Sequence, residues 1–134
     1  MQENLGFNHQ ADIVNSAVRF INAWFKQSKM IVSELNDFFM LPGNKIVDKN
    51  LIIARLKGIF GKADEFVGGR YDIIDVNFEL LDEGKGMGVV EGVAGYRAMI
   101  RKQGKIVSGP FKLYFALSQA GWKIVNIEFP GFEY

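Results

Sequence analysis

Two periods divide the chain. Up to about residue 60 apolar side chains recur every three or four positions, and from Tyr71 onward they alternate with polar ones. The first helical stretch covers residues 9–27, with Ile13, Ala17, Phe20, Ile21, Trp24 and Phe25 on one stripe and Val14 and Val18 widening it. Asn8 is placed to cap it. Asp12 falls in the first turn, and Lys26 and Lys29 near the other end, as the helix dipole favours. A shorter helix fits residues 28–35, with Met30, Ile31 and Leu35 inward. Phe38–Leu41 is too short for a helix and reads as a strand, closed by the turn Pro42-Gly43-Asn44. Asp48 caps a third helix over residues 49–60, whose stripe is Ile52, Leu56, Ile59 and Phe60. Gly61 supplies a left-handed stop.

Gly68-Gly69 opens the strand regime. Ile74, Val76, Phe78 and Leu80 alternate with Asp75, Asn77 and Glu79, a strand with one wet face. A turn at residues 82–85 leads into a second strand, about residues 87–101, whose glycines predict a bulge or bend. Turns at Gln103-Gly104 and Gln119-Ala120-Gly121 separate a third strand, residues 105–118, from a last one that Pro130-Gly131 ends. Three helices followed by a four-stranded antiparallel meander make an α+β fold. Long antiparallel strands with internal glycines coil, and the three helices cover the concave face of the curved sheet. What they leave unfilled is a pocket.

Composition narrows the function. At 134 residues the chain fits a single domain, 1–134, with residues 1–8 expected to be flexible. A net charge of +1 gives no field for nucleic acid or anionic lipid. The absence of Cys removes disulfides and thiolate metal sites, and one His makes no zinc site, so neither metal nor cofactor is expected. His9 is expected on the surface of a mobile N-terminus. No apolar run approaches the roughly 20 residues that span a bilayer, and no secretory leader is visible at the N-terminus, so a cytoplasmic protein without membrane contact is expected. Gly84-Lys85-Gly86-Met87-Gly88 has glycines but no following helix, and reads as a hairpin connection rather than a phosphate loop.

Candidate chemistry follows from register. With two-residue loops at Gln119-Ala120 and Gln103-Gly104, Leu117 faces Trp122, Phe115 faces Ile124, Leu113 faces Asn126 and Phe111 faces Glu128, with Tyr96 opposite Phe111. The concave wall is then apolar except for Tyr96, Asn126 and Glu128, which are neighbours. A buried unpaired carboxylate costs several kcal/mol or gives up its charge, so it is tolerated where it is hydrogen-bonded, wet or used. The predicted ligand-binding set is Phe20, Trp24, Tyr96, Phe111, Leu113, Asn126 and Glu128, with Glu128 the candidate general base. The alternative puts Glu128 at a solvated rim and satisfies Asn126 with backbone. A one-residue slip reverses every assignment. Val125, Ile127 and Phe129 fall with Tyr114 on the convex face, where apolar side chains predict a homodimer interface.

The element order, the passage Leu35-Asn36-Asp37-Phe38-Phe39 before the third helix, and Gly121-Trp122-Lys123-Ile124-Val125 opening the last strand resemble the NTF2-like superfamily. That superfamily is the cystatin-like, cone-shaped fold of nuclear transport factor 2, ketosteroid isomerases, scytalone dehydratase and SnoaL-like cyclases, and the resemblance covers residues 12–129. It implies a catalytic Asp just before a Pro on the short strand, a Tyr on the first helix and an Asp after a Pro on the penultimate strand. This chain has Met40-Leu41 before Pro42, Phe20 or Ala17 on the helix, and Lys112. A dehydratase His–Asp pair would need His9, and a hydrolase Asp-Arg-Asp set would need Arg97, which faces outward. The resemblance therefore implies a protein binding a small, largely apolar molecule in the cone. The alternatives are an isomerase, dehydratase or cyclase using Glu128, and a non-catalytic dimeric interaction module with a filled cone.

Overall fold

A computed structural model describes residues 8–134. The flexibility expected of residues 1–7 lies outside the described residues. Asn8, grouped with them, instead caps the first helix, its side chain accepting from the Ala11 N–H at 3.0 Å. Helix α1, His9–Phe25, buries Ile13, Ala17, Phe20, Ile21 and Trp24, the stripe that its periodicity predicts. The second helix is a 3-10 segment, Lys29–Glu34. With three residues per turn its inward positions are Ile31 and Glu34, so Met30 is 75% exposed rather than inward.

Strand β1, Phe38–Leu41, pairs with β2, Lys45–Asp48, across the predicted turn. In β2 Ile46 and Val47 stand side by side, so no alternation marks the strand. Asp48 caps helix α2, Lys49–Gly61, accepting from the Asn50 N–H at 2.7 Å. Gly61 is not a left-handed stop: the helix runs through it and ends at Lys62 in right-handed geometry. The helical layer is thus two α-helices and one 3-10 segment, not three α-helices.

The main sheet is an antiparallel meander, β3 (Glu65–Leu80), β4 (Gly86–Ile100), β5 (Gln103–Ser118) and β6 (Gly121–Glu128), in that order. α1 lies across β3, β4 and β6. β3 starts at Glu65, well before Tyr71, because Gly68, at φ 63°, lets the strand bulge between Val67 and Arg70 instead of ending it. A second irregularity between Ile73 and Asp75 turns Ile74 outward; it is 70% exposed, not part of the concave wall. β3 is one sheet edge. The other, on β6, is covered: Leu35 bridges Ile124, and the Asn36 N–H donates to the Ile124 carbonyl at 2.8 Å.

Both hairpins that set the predicted register differ in part from expectation. The β4–β5 turn is Arg101-Lys102, at φ 51° and 68°, between paired Ile100 and Gln103. This moves every partner by an even number of residues, so faces are preserved while neighbours change: Tyr96 pairs with Val107 rather than Phe111, and Phe111 packs its ring where Gly92 has no side chain. In the β5–β6 hairpin, Leu117 faces Trp122 and Phe115 faces Ile124 as expected. Then Tyr114 pairs with Asn126, leaving Val125 as an extra residue. Beyond the bulge the faces are exchanged, with Leu113 opposite Ile127 and Lys112 opposite Glu128. Val125, Ile127 and Phe129 are buried and form no convex interface.

Trp24 sits at the centre of the core, fully buried, with Phe20, Phe60, Phe66, Tyr96, Phe129 and Phe132 at centroid distances of 5.0–6.4 Å. Truncating such a residue costs about 3–5 kcal/mol. One charge is also buried. Glu34 accepts from the Ser16 hydroxyl at 2.8 Å, and from Arg19 Nε at 2.9 Å and Nη2 at 3.1 Å. Burial alone raises its pKa, but the hydrogen bonds from Arg19 and Ser16, the Arg19 charge and a bond from Ser33 outweigh this, and the net direction is downward. A lowered carboxyl stabilises the fold above its ordinary value of 4.5, and that contribution is lost as pH falls through the lowered value. Glu34→Gln is expected to cost about 1–2 kcal/mol at neutral pH. The difference from wild type should close in acid below the ordinary carboxyl range. Urea midpoints at neutral and strongly acid pH measure this, and an equal difference at both would contradict it.

Candidate functional site

The residues predicted to line the site separate into two groups. Phe20, Trp24, Phe111 and Leu113 are packed inside the cone, none more than 1% exposed, with Tyr96 beside them. Asn126 and Glu128 are on the other face of the sheet. Tyr96 pairs with Val107 and Glu128 with Lys112, positions about 17 Å apart along β5. The phenol, amide and carboxylate therefore do not converge. The bulge at Val125 inverts the two β6 residues, and the Arg101-Lys102 turn carries Tyr96 toward the far end.

Asn126 is a structural tie: its Nδ2 donates to the Met40 carbonyl at 2.7 Å and its Oδ1 accepts from the Tyr134 hydroxyl at 2.8 Å. Glu128 is exposed, 3.5 Å from the Tyr114 hydroxyl. Burial and the Glu128 charge push that phenol's pKa up.

Sequence reasoning missed the role of the tail after β6. The Phe132 N–H donates to the Phe129 carbonyl at 2.9 Å, turning the chain back over the cone. Tyr96 donates its hydroxyl to the Pro130 carbonyl at 2.8 Å, and burial raises its pKa. The Trp24 indole N–H lies beside this phenol and partly offsets that effect without reaching hydrogen-bond geometry, so it is a buried donor with no partner. Gly131 takes φ 95°, and a methyl group there would collide with the Tyr96 oxygen. The tail ends on the Tyr134 hydroxyl, which accepts from the Ile127 N–H at 2.6 Å. A signal was present: two more aromatic residues, Phe132 and Tyr134, follow Pro130-Gly131.

Between the tail, α2 and the β4–β5 end of the sheet lies a cleft of about 460 Å³. Ile59, Phe66, Tyr96, Ala98 and Val107 form its apolar wall, Gly131, Glu133 and Tyr134 its tail side, and Arg55, Lys62 and Lys105 stand on it as well. Asn126 and Glu128 line a separate groove of about 510 Å³ on the tail's other side, with Pro42, Pro110 and Pro130. A third, of about 1250 Å³, runs along the β3–β4 and β5–β6 turns and carries charges of both signs, among them Asp12, Arg19, Glu83 and Lys123. His9 belongs there: half-buried, its Nδ1 accepts from Trp122 Nε1 at 3.1 Å, and its ring packs on Phe78, so it is not a loose surface residue. Among the described residues no group of three or more His, Cys, Asp or Glu is placed to hold a metal ion. No described helix is long and apolar enough to cross a membrane.

No family model and no curated protein matches the chain. Solved structures do. A protein from Novosphingobium aromaticivorans, provisionally described as an aromatic ring hydroxylase, superposes with a TM-score of 0.66 at 12% identity over 94% of this chain and 90% of its own. A provisional dehydratase of the NTF2-like family from Streptomyces avermitilis gives 0.64 at 9% identity, over 90% and 94%. The association domain of C. elegans CaMKII gives 0.57 at 10% identity, over 93% and 97%. The chain has the NTF2-like fold. The positions where resemblance to the NTF2-like isomerases implies catalytic side chains are here a buried Phe20, a half-exposed Met40, and Lys112, which faces outward and pairs with Glu91 at 3.7 Å.

Burial pushes the Tyr134 phenol up to about 12. A phenol raised on folding stabilises the docked tail fully below its ordinary value of 10.0, and that contribution is lost as pH rises through about 12. Tyr134→Phe should cost about 1–2 kcal/mol at neutral pH by stranding the Ile127 N–H. It should also flatten the alkaline fall in stability across that window. Urea unfolding of both proteins at neutral and high pH tests this; parallel curves would contradict it.

Proposed function

We propose that the protein is a non-catalytic binding module that takes a small, largely apolar molecule in the cleft between α2, the β4–β5 end of the sheet and the tail. The observation that carries this is an apolar wall with one polar handle. Tyr96, 5% exposed, forms part of that wall, and its hydroxyl donates to a carbonyl of the tail. Behind it, Trp24 Nε1 is a buried donor without a partner among the described residues. The cleft volume is within the usual range for small-ligand sites. An enzyme reading loses its general base, since Glu128 is on the outer face. The neutral dye N-phenyl-1-naphthylamine should bind saturably with one site per chain, followed by its fluorescence. Val107→Trp, which fills the cleft, should weaken it at least about tenfold, or about 1.4 kcal/mol. Wild-type protein that fails to bind the dye, or binds it equally well with the cleft filled, would sink this reading.

The outer sheet face favours a second, compatible property, homodimerisation. Of the four residues expected there only Tyr114 faces outward, but Met87 and Val93 are exposed at 41% and 42%, with Val89 paired beside Tyr114. Exposed apolar side chains on a sheet face, here to either side of the Glu91–Lys112 pair, are an interface signal, and one fold neighbour is an association domain. Sedimentation at micromolar concentration should show a dimer that Val93→Asp converts to monomer. A monomeric wild type would remove this reading and leave the cleft untouched.

A further inference from the structure

We propose that the ligand of this cleft is a free amphipathic anion: a compact, ring-bearing apolar body ending in one carboxylate, sulfonate or similar group. The inference rests on the cleft being a binding site, and adds the ligand's charge. The deep wall, Phe66, Tyr96, Ala98 and Val107, has no ionised group, whereas Arg55, Lys62 and Lys105 meet a single carboxylate, Glu133. Counted on side chains alone, three cations against one anion leave 3 − 1 = +2 around one small opening, on a chain whose side-chain total is +1. None of the three cations is in an ion pair with another described residue. Two come from α2 and its cap and one from β5, so they surround the opening from both sides. Their aliphatic stems can extend the apolar wall while the charged ends stay in water, an arrangement that suits a molecule with its apolar body inward and its charge outward.

On the tail side Glu133 is the one carboxylate of the lining, while the Phe132 ring packs 6.4 Å from Trp24 and lines the other groove. A neutral apolar ligand would leave the cations without a counterpart, and a cationic one would be repelled by them.

Two dyes on one skeleton separate charge from apolar burial: 1-anilinonaphthalene-8-sulfonate and its neutral parent N-phenyl-1-naphthylamine. The sulfonate should bind about tenfold more tightly to the wild-type protein. The gap should shrink in about 0.5 M salt, where exposed charges are screened. The double variant Lys62→Glu/Lys105→Glu should reverse the preference, and Val107→Trp should weaken both dyes. Both lysines are exposed, so the double variant should unfold cooperatively like wild type. The salt titration, made on wild type, decides the matter even if the variant does not fold. Equal affinities, or a gap indifferent to salt, would overturn the anion and leave the cleft standing. Failure of both dyes to bind would overturn the cleft itself and this inference with it.

Discussion

One extra residue in β6 decides what the far half of the molecule becomes. Without the bulge at Val125, Ile127 and Phe129 would face solvent and Asn126 and Glu128 would face Trp24. Each of the two apolar side chains is worth about 1.5–3 kcal/mol when buried, and a carboxylate left unpaired in the core costs several more. The chain accepts a local break in the ladder, between Tyr114 and Phe115, to avoid that. The consequences run outward. Phe129 reaches Trp24 at 5.0 Å, the tail turns back over it, and Asn126, now outside, joins β1 to the hydroxyl of Tyr134.

Much of the fold was legible because burial imposes a period. α1 shows its stripe over four turns, and β4 and β5 alternate cleanly enough that a hairpin placed a few residues away still left their faces correct. Legibility failed where the period changes phase. In β6 the apolar set moves from Trp122 and Ile124 to Val125, Ile127 and Phe129, with two large apolar residues adjacent at the switch. In β3 the same adjacency, Ile73-Ile74, marks the other misplaced residue. A polar residue in an apolar row was read as chemistry, but a doubled apolar residue just before it means that the row has changed sides. Glu34 escaped for a different reason. Its burial depends on Ser16 and Arg19, fifteen and more residues away on α1, and no local pattern announces a tertiary partner.

The interior of this NTF2-like cone is therefore occupied by its own rings, and the tail folds over its mouth. Tyr96 connects the two. Its ring belongs to the aromatic core, with Phe66 at 4.6 Å, while its hydroxyl holds the tail. The tail is held by three hydrogen bonds, from Tyr96 to the Pro130 carbonyl and between Tyr134 and both Ile127 and Asn126, and by a few ring contacts, a modest attachment compared with the sheet behind it.

The edge strand β3 has a bearing on how copies of this chain can meet. Strands polymerise when a straight edge offers its unpaired amides and carbonyls to the next molecule. Here the edge is kinked twice, at Gly68 and at Ile74, and carries Asp72, Asp75 and Glu79, while the β6 edge is already taken by Leu35, Asn36 and Tyr134. Neither border can be extended without breaking what holds it. Strand-to-strand addition of another copy is therefore disfavoured at both borders of this sheet.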